Sequence, residues 1–224
     1  MASQMERMED QIAELLLGVN RYNPGNCAQL EEYVDAQLAE AGYDSDANLA
    51  LLKLYQLNPD KYRNESVVKI LLKALMSLPH SDLTLCKSLI DSQHLDNAEV
   101  KTVLELAEAL EKCQFRFAWA NMDAAPLQAQ IAAIKGFREA IRKFVCHTVN
   151  ITYQSIAVEV LLGLLGIDGA GELGPIAAAE GWKIGSDGYV FIANQEAKVR
   201  SKNIQEKIEL PDLKEILQVA SGRQ

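Results

Sequence analysis

Apolar residues recur at helical spacing through almost the first 150 positions, and this periodicity limits the possible folds more than any other feature. Ile12, Leu15, Leu16 and Val19 stand at i, i+3, i+4 and i+7, which puts them on one face of a helix. Leu30, Val34, Leu38 and Ala41 repeat the pattern, as do Val67, Leu71, Ala74, Leu75 and Leu78. Leu83, Cys86 and Ile90 form a shorter stripe, and Val100, Val103, Leu104, Ala107 and Leu110 a strong one. Ile134, Phe137, Ile141, Phe144 and Val145 close the series. Segment 47–57 is apolar on most sides, which predicts a helix buried between neighbours. Short connections between such helices imply antiparallel pairs.

The punctuation agrees with this reading. Asn23-Pro24, Asn58-Pro59 and Leu78-Pro79 interrupt the stripes, because proline disfavours helix in the residue before it. Ser45 and Ser81 stand where N-caps fit. The two Asn-Pro pairs lie 35 residues apart, and Leu54-Tyr-Gln-Leu-Asn-Pro59 resembles the end of a tetratricopeptide unit. The other positions of that repeat are missing. The expectation is therefore degenerate helix-pair stacking, with an irregular bundle as the alternative.

After residue 150 the pattern changes. Segments 155–165 and 172–180 read as two short helices, the second opening near Pro175. Asp187-Gly188 is a tight-turn signal between two strand-like runs within 181–192. Helix, helix and two-stranded ribbon is the order of a winged helix. A final amphipathic helix over 203–220 carries Ile204, Ile208, Leu213, Ile216, Leu217 and Ala220. The predicted fold is mostly α: stacked antiparallel helix pairs of HEAT or tetratricopeptide type over 1–150, a winged helix with a small β-ribbon over 151–200, and a C-terminal helix and tail over 201–224. Segment 131–149 is expected to bridge the first two parts.

Several signals resemble chemistry, but their context does not support it. Gly169-Ala-Gly-Glu-Leu-Gly174 is a literal GxGxxG, yet a dinucleotide loop needs a strand before it, and 158–165 has helical character. Cys146 and His147 are adjacent, so on a helix they point about 100° apart and do not make a dyad. The carboxylate pairs Glu31-Glu32 and Glu105/Glu108 read as solvated helix faces. Cys27, Cys86, Cys113 and Cys146 include no CxxC pair, and His80, His94 and His147 no HxxxH spacing. They read as thiols in a reducing compartment. No enzyme, cofactor or metal is expected. Residues 1–10 lack the apolar run of a secretory signal, and no run reaches the length of a membrane span.

The net charge of −9 argues against the chain as a whole gripping nucleic acid. The one basic cluster is Lys198, Arg200, Lys202 and Lys207. It offers at most a weak RNA contact through Lys198, Arg200 and Lys202, because from residue 150 onward 10 acidic residues stand against 7 basic ones. Protein partners fit better. Tyr189, Val190, Phe191 and Ile192 are too apolar for a purely solvated strand, and a two-stranded ribbon leaves an edge open to a partner's strand. Leu213, Ile216, Leu217 and Ala220 form one helix face, either packed within the chain or set against a partner's helices.

Helical repeats followed by a winged helix are the layout of the PCI subunits (proteasome lid, COP9 signalosome, initiation factor). Arg21-Tyr-Asn-Pro24, Ala47-Asn-Leu-Ala-Leu-Leu-Lys-Leu-Tyr-Gln56, Ile70-Leu-Leu-Lys-Ala-Leu75, Leu78-Pro-His80 and Leu83-Thr-Leu-Cys-Lys87 go further. With Arg142-Lys-Phe-Val-Cys-His147, Ile151-Thr-Tyr-Gln-Ser-Ile156 and Lys202-Asn-Ile-Gln-Glu-Lys-Ile208, they resemble the subunit K family of eukaryotic translation initiation factor 3. The resemblance implies a non-catalytic, cytoplasmic subunit, with nuclear entry as a second expectation. It would pair with other initiation factor 3 subunits, especially subunit L, and meet the 40S ribosomal subunit through the complex. The alternatives are a subunit of a proteasome-lid or COP9-signalosome type complex, or a winged-helix RNA-binding module.

Overall fold

The structure is a computed structural model and describes residues 4–40, 42–195, 213 and 217. It is mostly helical, with one small antiparallel sheet. Residues Met1–Ala193 form one compact unit and Asn194–Gln224 a second.

The predicted stripes become helices α1 (Gln4–Leu15), α2 (Cys27–Glu40), α3 (Ser45–Leu57), α4 (Asn64–Met76), α5 (Asp82–Leu89), α6 (Ser92–Leu95) and α7 (Ala98–Glu111). One further stripe, Phe115, Ala118, Trp119 and Met122, has the same spacing and builds α8 (Phe115–Asp123). Segment 131–149 is not one continuous helix. It divides at Gly136 between α9 (Ala125–Ala132) and α10 (Phe137–Thr152). The cap of α3 also differs from expectation. The Asp44 carboxylate, not Ser45, accepts the Ala47 N–H at 3.0 Å, and its charge adds the favourable helix-dipole interaction that a hydroxyl lacks.

Helix α4 runs through the middle of the core. Val67, Ile70, Leu71, Ala74 and Leu75 are fully buried against α2, α5, α7 and α10. As its sequence predicts, α3 is buried on most sides. Gln37 and Asn48 enter this core as a satisfied pair. Gln37 Nε2 donates to Asn48 Oδ1 and Asn48 Nδ2 donates to Gln37 Oε1, each at 3.1 Å, while the Asp44 amide also donates to Gln37 Oε1. A buried amide that loses its partner costs about 1–3 kcal/mol, whereas replacing both by apolar groups is nearly neutral. Gln37→Leu and Asn48→Leu are each expected to lower unfolding free energy by that amount in urea titrations. The double variant is expected to lose less than the two single losses added together.

The winged helix is built from α10, β1 (Ser155–Ala157), α11 (Val158–Leu165), α12 (Ala170–Glu180), β2 (Lys183–Ile184) and β3 (Tyr189–Phe191). Its sheet has three strands in the order β1-β3-β2, all antiparallel. Two expectations are corrected here. Residues 155–157 are strand rather than the first turn of a helix, because Ile156 is buried opposite Val190. Tyr189–Phe191 is consequently the central strand, paired on both sides, and not an edge. The Asp187-Gly188 turn forms as predicted: Gly188 takes φ +81°, and Asp187 Oδ1 accepts the Tyr189 N–H.

Helical array and winged helix share one hydrophobic core, and side chains from α8 and α10 fasten the joint. Trp119 Nε1 donates to the Leu164 carbonyl at 2.8 Å, and Arg142 Nε donates to the Leu165 carbonyl at 3.2 Å. The Arg142 guanidinium lies 5.7 Å from the centroid of the Trp119 ring. Gly166 ends α11 at φ +61° directly against that ring: a Cβ there would stand 2.5 Å from an indole carbon. Near the C-terminal end of α10, Trp182 Nε1 donates to Asn150 Oδ1 at 2.6 Å, and Asn150 Nδ2 donates to Glu180 Oε2 at 2.7 Å.

Candidate functional site

The sequence points to 189–192 as an interaction element, and the structure divides these residues by the pleat. Val190 and Ile192 face inward and belong to the core. Tyr189 and Phe191 face outward, 52% and 39% exposed. Successive side chains of a strand alternate between faces, so one strand serves both core and surface. Register sets Phe191 across from Ser155 and Lys183, and Tyr189 across from Ala157. Tyr153 and Ile151, just before β1, are also exposed large side chains. Exposed aromatic side chains of this kind are enriched where proteins meet.

The main-chain route to a partner is narrower than the sequence suggests. Both edges of β3 are occupied, so strand addition would have to use the outer edge of β1 or β2. Both residues of β2 are exposed. The charge balance of this segment favours a basic partner surface. Glu159, Asp168, Glu172, Glu180 and Asp187 stand against the single Lys183 in 151–193.

Of the last-helix set, Leu213 and Leu217 have helical backbone and are 43% and 65% exposed. Ile216 and Ala220 lie outside the described residues, as do Lys198, Arg200 and Lys202.

The remaining chemical signals resolve locally. Gly169 is the N-cap of α12, and Gly171 and Gly174 lie within that helix, so the GxGxxG run joins two helices. Burial pushes the Cys146 thiol up to about 12, with Glu180 adding to the shift, while its neighbour His147 is exposed. The Cys86 thiol is likewise held at about 12 by burial. Among the described residues no group of three or more His, Cys, Asp or Glu is placed to hold a metal ion. No described helix is long and apolar enough to cross a membrane.

A sequence model of the CSN8/PSMD8/EIF3K family matches residues 61–203, which span α4 to α9 of the helical array and the whole winged helix. The chain is 43% identical to eukaryotic translation initiation factor 3 subunit K of Danio rerio over 217 residues, covering 97% of this chain and 98% of the relative. It is 41% identical to that subunit of Homo sapiens, covering 95% and 96%. The chain belongs to the initiation factor 3 subunit K family. Subunit K of Nematostella vectensis is 40% identical over 93% of this chain. Subunit K relatives thus match the array, the joint and the winged helix together rather than one part alone.

Proposed function

We propose that the chain is a non-catalytic subunit of a eukaryotic translation initiation factor 3 complex. It binds other subunits of that complex, subunit L first among them, and reaches the 40S ribosomal subunit through the assembly, in the cytoplasm. The observation that carries this reading is near-full-length similarity to subunit K relatives, joined to a fold built from stacked helices and a winged helix. Within this reading the helical array (1–150) and the winged helix (151–200) act as one platform. The last segment (201–224) adds a second contact.

Two separate subunit contacts are proposed: the outward face of the sheet at Tyr189 and Phe191, and, in the second unit, Leu213 and Leu217. These side chains are apolar and already exposed, so removing them costs the free chain little. Val190 and Ile192 support that face from the core. The test is a pull-down of recombinant subunit L with two paired variants, Tyr189→Ser with Phe191→Ser and Leu213→Asp with Leu217→Asp. Each pair is expected to weaken capture at least tenfold, about 1.4 kcal/mol or more, with the thermal midpoint of the free chain nearly unchanged. Undiminished capture by both pairs would place the contact elsewhere.

A further inference from the structure

We propose that a groove between the C-terminal end of α4 and the outward side of α10 receives an acidic, amphipathic segment of a partner protein. The groove has a volume of about 500 Å³ and lies where the end of α4 meets α10, apart from the sheet residues Tyr189 and Phe191. Its floor is apolar. Met76, Leu78 and Phe144 are half-buried, and Pro79 closes one wall. Phe144 is braced from below by an edge-on contact with Phe115, ring centroids 6.0 Å apart, so the floor is preorganised.

Charge on the opposite wall identifies the occupant. Glu139, Lys143 and His147 follow each other at four-residue intervals along α10, and Lys135, just ahead of that helix, lines the same groove. All four are exposed, and neither Lys135 nor Lys143 has an ion-pair partner among the described residues. A chain of net charge −9 thus presents a locally cationic rim over an apolar floor. The complement is a segment with an apolar stripe for the floor and carboxylates for the lysines, the arrangement by which amphipathic helices dock into grooves. Single-stranded RNA fits less well: two lysines neutralise few phosphates, and Met76, Leu78 and Pro79 offer no stacking platform.

The test uses the full chain and two fluorescein-labelled synthetic helical peptides of about 16 residues, each with Leu and Phe at i, i+3, i+4 and i+7. One carries Glu at its other positions and the second carries Lys. Binding is read by fluorescence anisotropy. The acidic peptide is expected to bind the natural chain and to lose about tenfold or more in affinity to the Lys135→Glu, Lys143→Glu double variant. The basic peptide is expected to show the reverse preference. Both lysines are exposed, so the variant is expected to keep its thermal midpoint. If it does not, Lys135→Gln with Lys143→Gln replaces it, with a smaller loss expected for the acidic peptide and no gain for the basic one. Failure of the acidic peptide to bind the natural chain would overturn the proposal. So would affinities for both peptides that ignore the charge changes, or a single-stranded RNA oligonucleotide that binds more tightly than the acidic peptide and loses affinity in the same variant.

Discussion

Trp119→Ala is expected to lower the thermal midpoint of the chain by about 10 °C, the loss of roughly 3–5 kcal/mol for a buried Trp at about 2–4 °C per kcal/mol in a chain of this size. Trp119 is 6% exposed, and its indole does three things at once. It fills the space between α8 and α11, it donates to the Leu164 carbonyl at the end of α11, and it offers its face to Arg142. The carbonyls of Leu165 and Gly166 also face Arg142, so truncating the indole loosens the other half of the fastening. Trp119→Phe keeps much of the volume but no N–H, and is expected to fall between the two. Gly166→Val tests the same joint from the winged-helix side. It adds a branched side chain at φ +61° and drives a Cβ to 2.5 Å from the ring, so a loss of similar size is expected. Differential scanning calorimetry reads all three. A midpoint within about 2 °C of the natural chain for Trp119→Ala would contradict the account of the joint.

Lys73→Met is expected to stabilise the chain at neutral pH by roughly 2–3 kcal/mol, the scale of removing a buried unpaired charge. Lys73 lies on α4, is only 2% exposed, and has no carboxylate partner among the described residues. Burial alone pushes its pKa down from 10.5 to about 8. That direction fixes the pH dependence. Below about pH 8 the folded and unfolded chains both hold the proton, and the folded state bears the full penalty of a buried ammonium. Between about 8 and 10.5 the folded chain releases its proton first and the penalty shrinks. Above 10.5 both states are neutral and the penalty is gone. The stability gap between Lys73→Met and the natural chain, measured by urea unfolding, is therefore expected to be largest near pH 7 and to close toward pH 10.5. The buried thiols of Cys86 and Cys146, both held at about 12, act in the opposite direction above pH 9. They are present in both chains, so their effect cancels in the difference.

These two sites also mark where sequence reading stopped. Period and punctuation carry the helical array well, because a buried stripe of four or more turns leaves many positions that agree. The Asp187-Gly188 turn was equally legible, since few other dipeptides adopt its backbone so readily. Strand β1 was not. Three residues are too few for an alternating pattern, and Ile156 followed by Ala157 and Val158 fits a helix start as well as a strand. Without that strand β3 reads as an edge and Val190 and Ile192 as partner contacts, whereas β3 is central and both residues belong to the core. Trp119 and Arg142 meet Leu164 and Leu165 across 45 and 23 residues, pairings that no local pattern encodes. Lys73 reads as an ordinary solvated residue within Ile70-Leu-Leu-Lys-Ala-Leu75, and only the packing of α4 on several sides reveals it as buried. The cationic groove has no local sequence pattern for a related reason. Its two walls come from distant segments, and the net charge of −9 conceals a local reversal of sign.

The most direct test of the central claim is affinity purification of the tagged full chain from cells, with the co-purifying proteins quantified by mass spectrometry. The predicted result is a stoichiometric set of initiation factor 3 subunits, with subunit L the last to be lost as the salt of the wash is raised. Stoichiometric recovery of proteasome-lid or COP9-signalosome subunits instead, or of no initiation factor subunit at all, would contradict it.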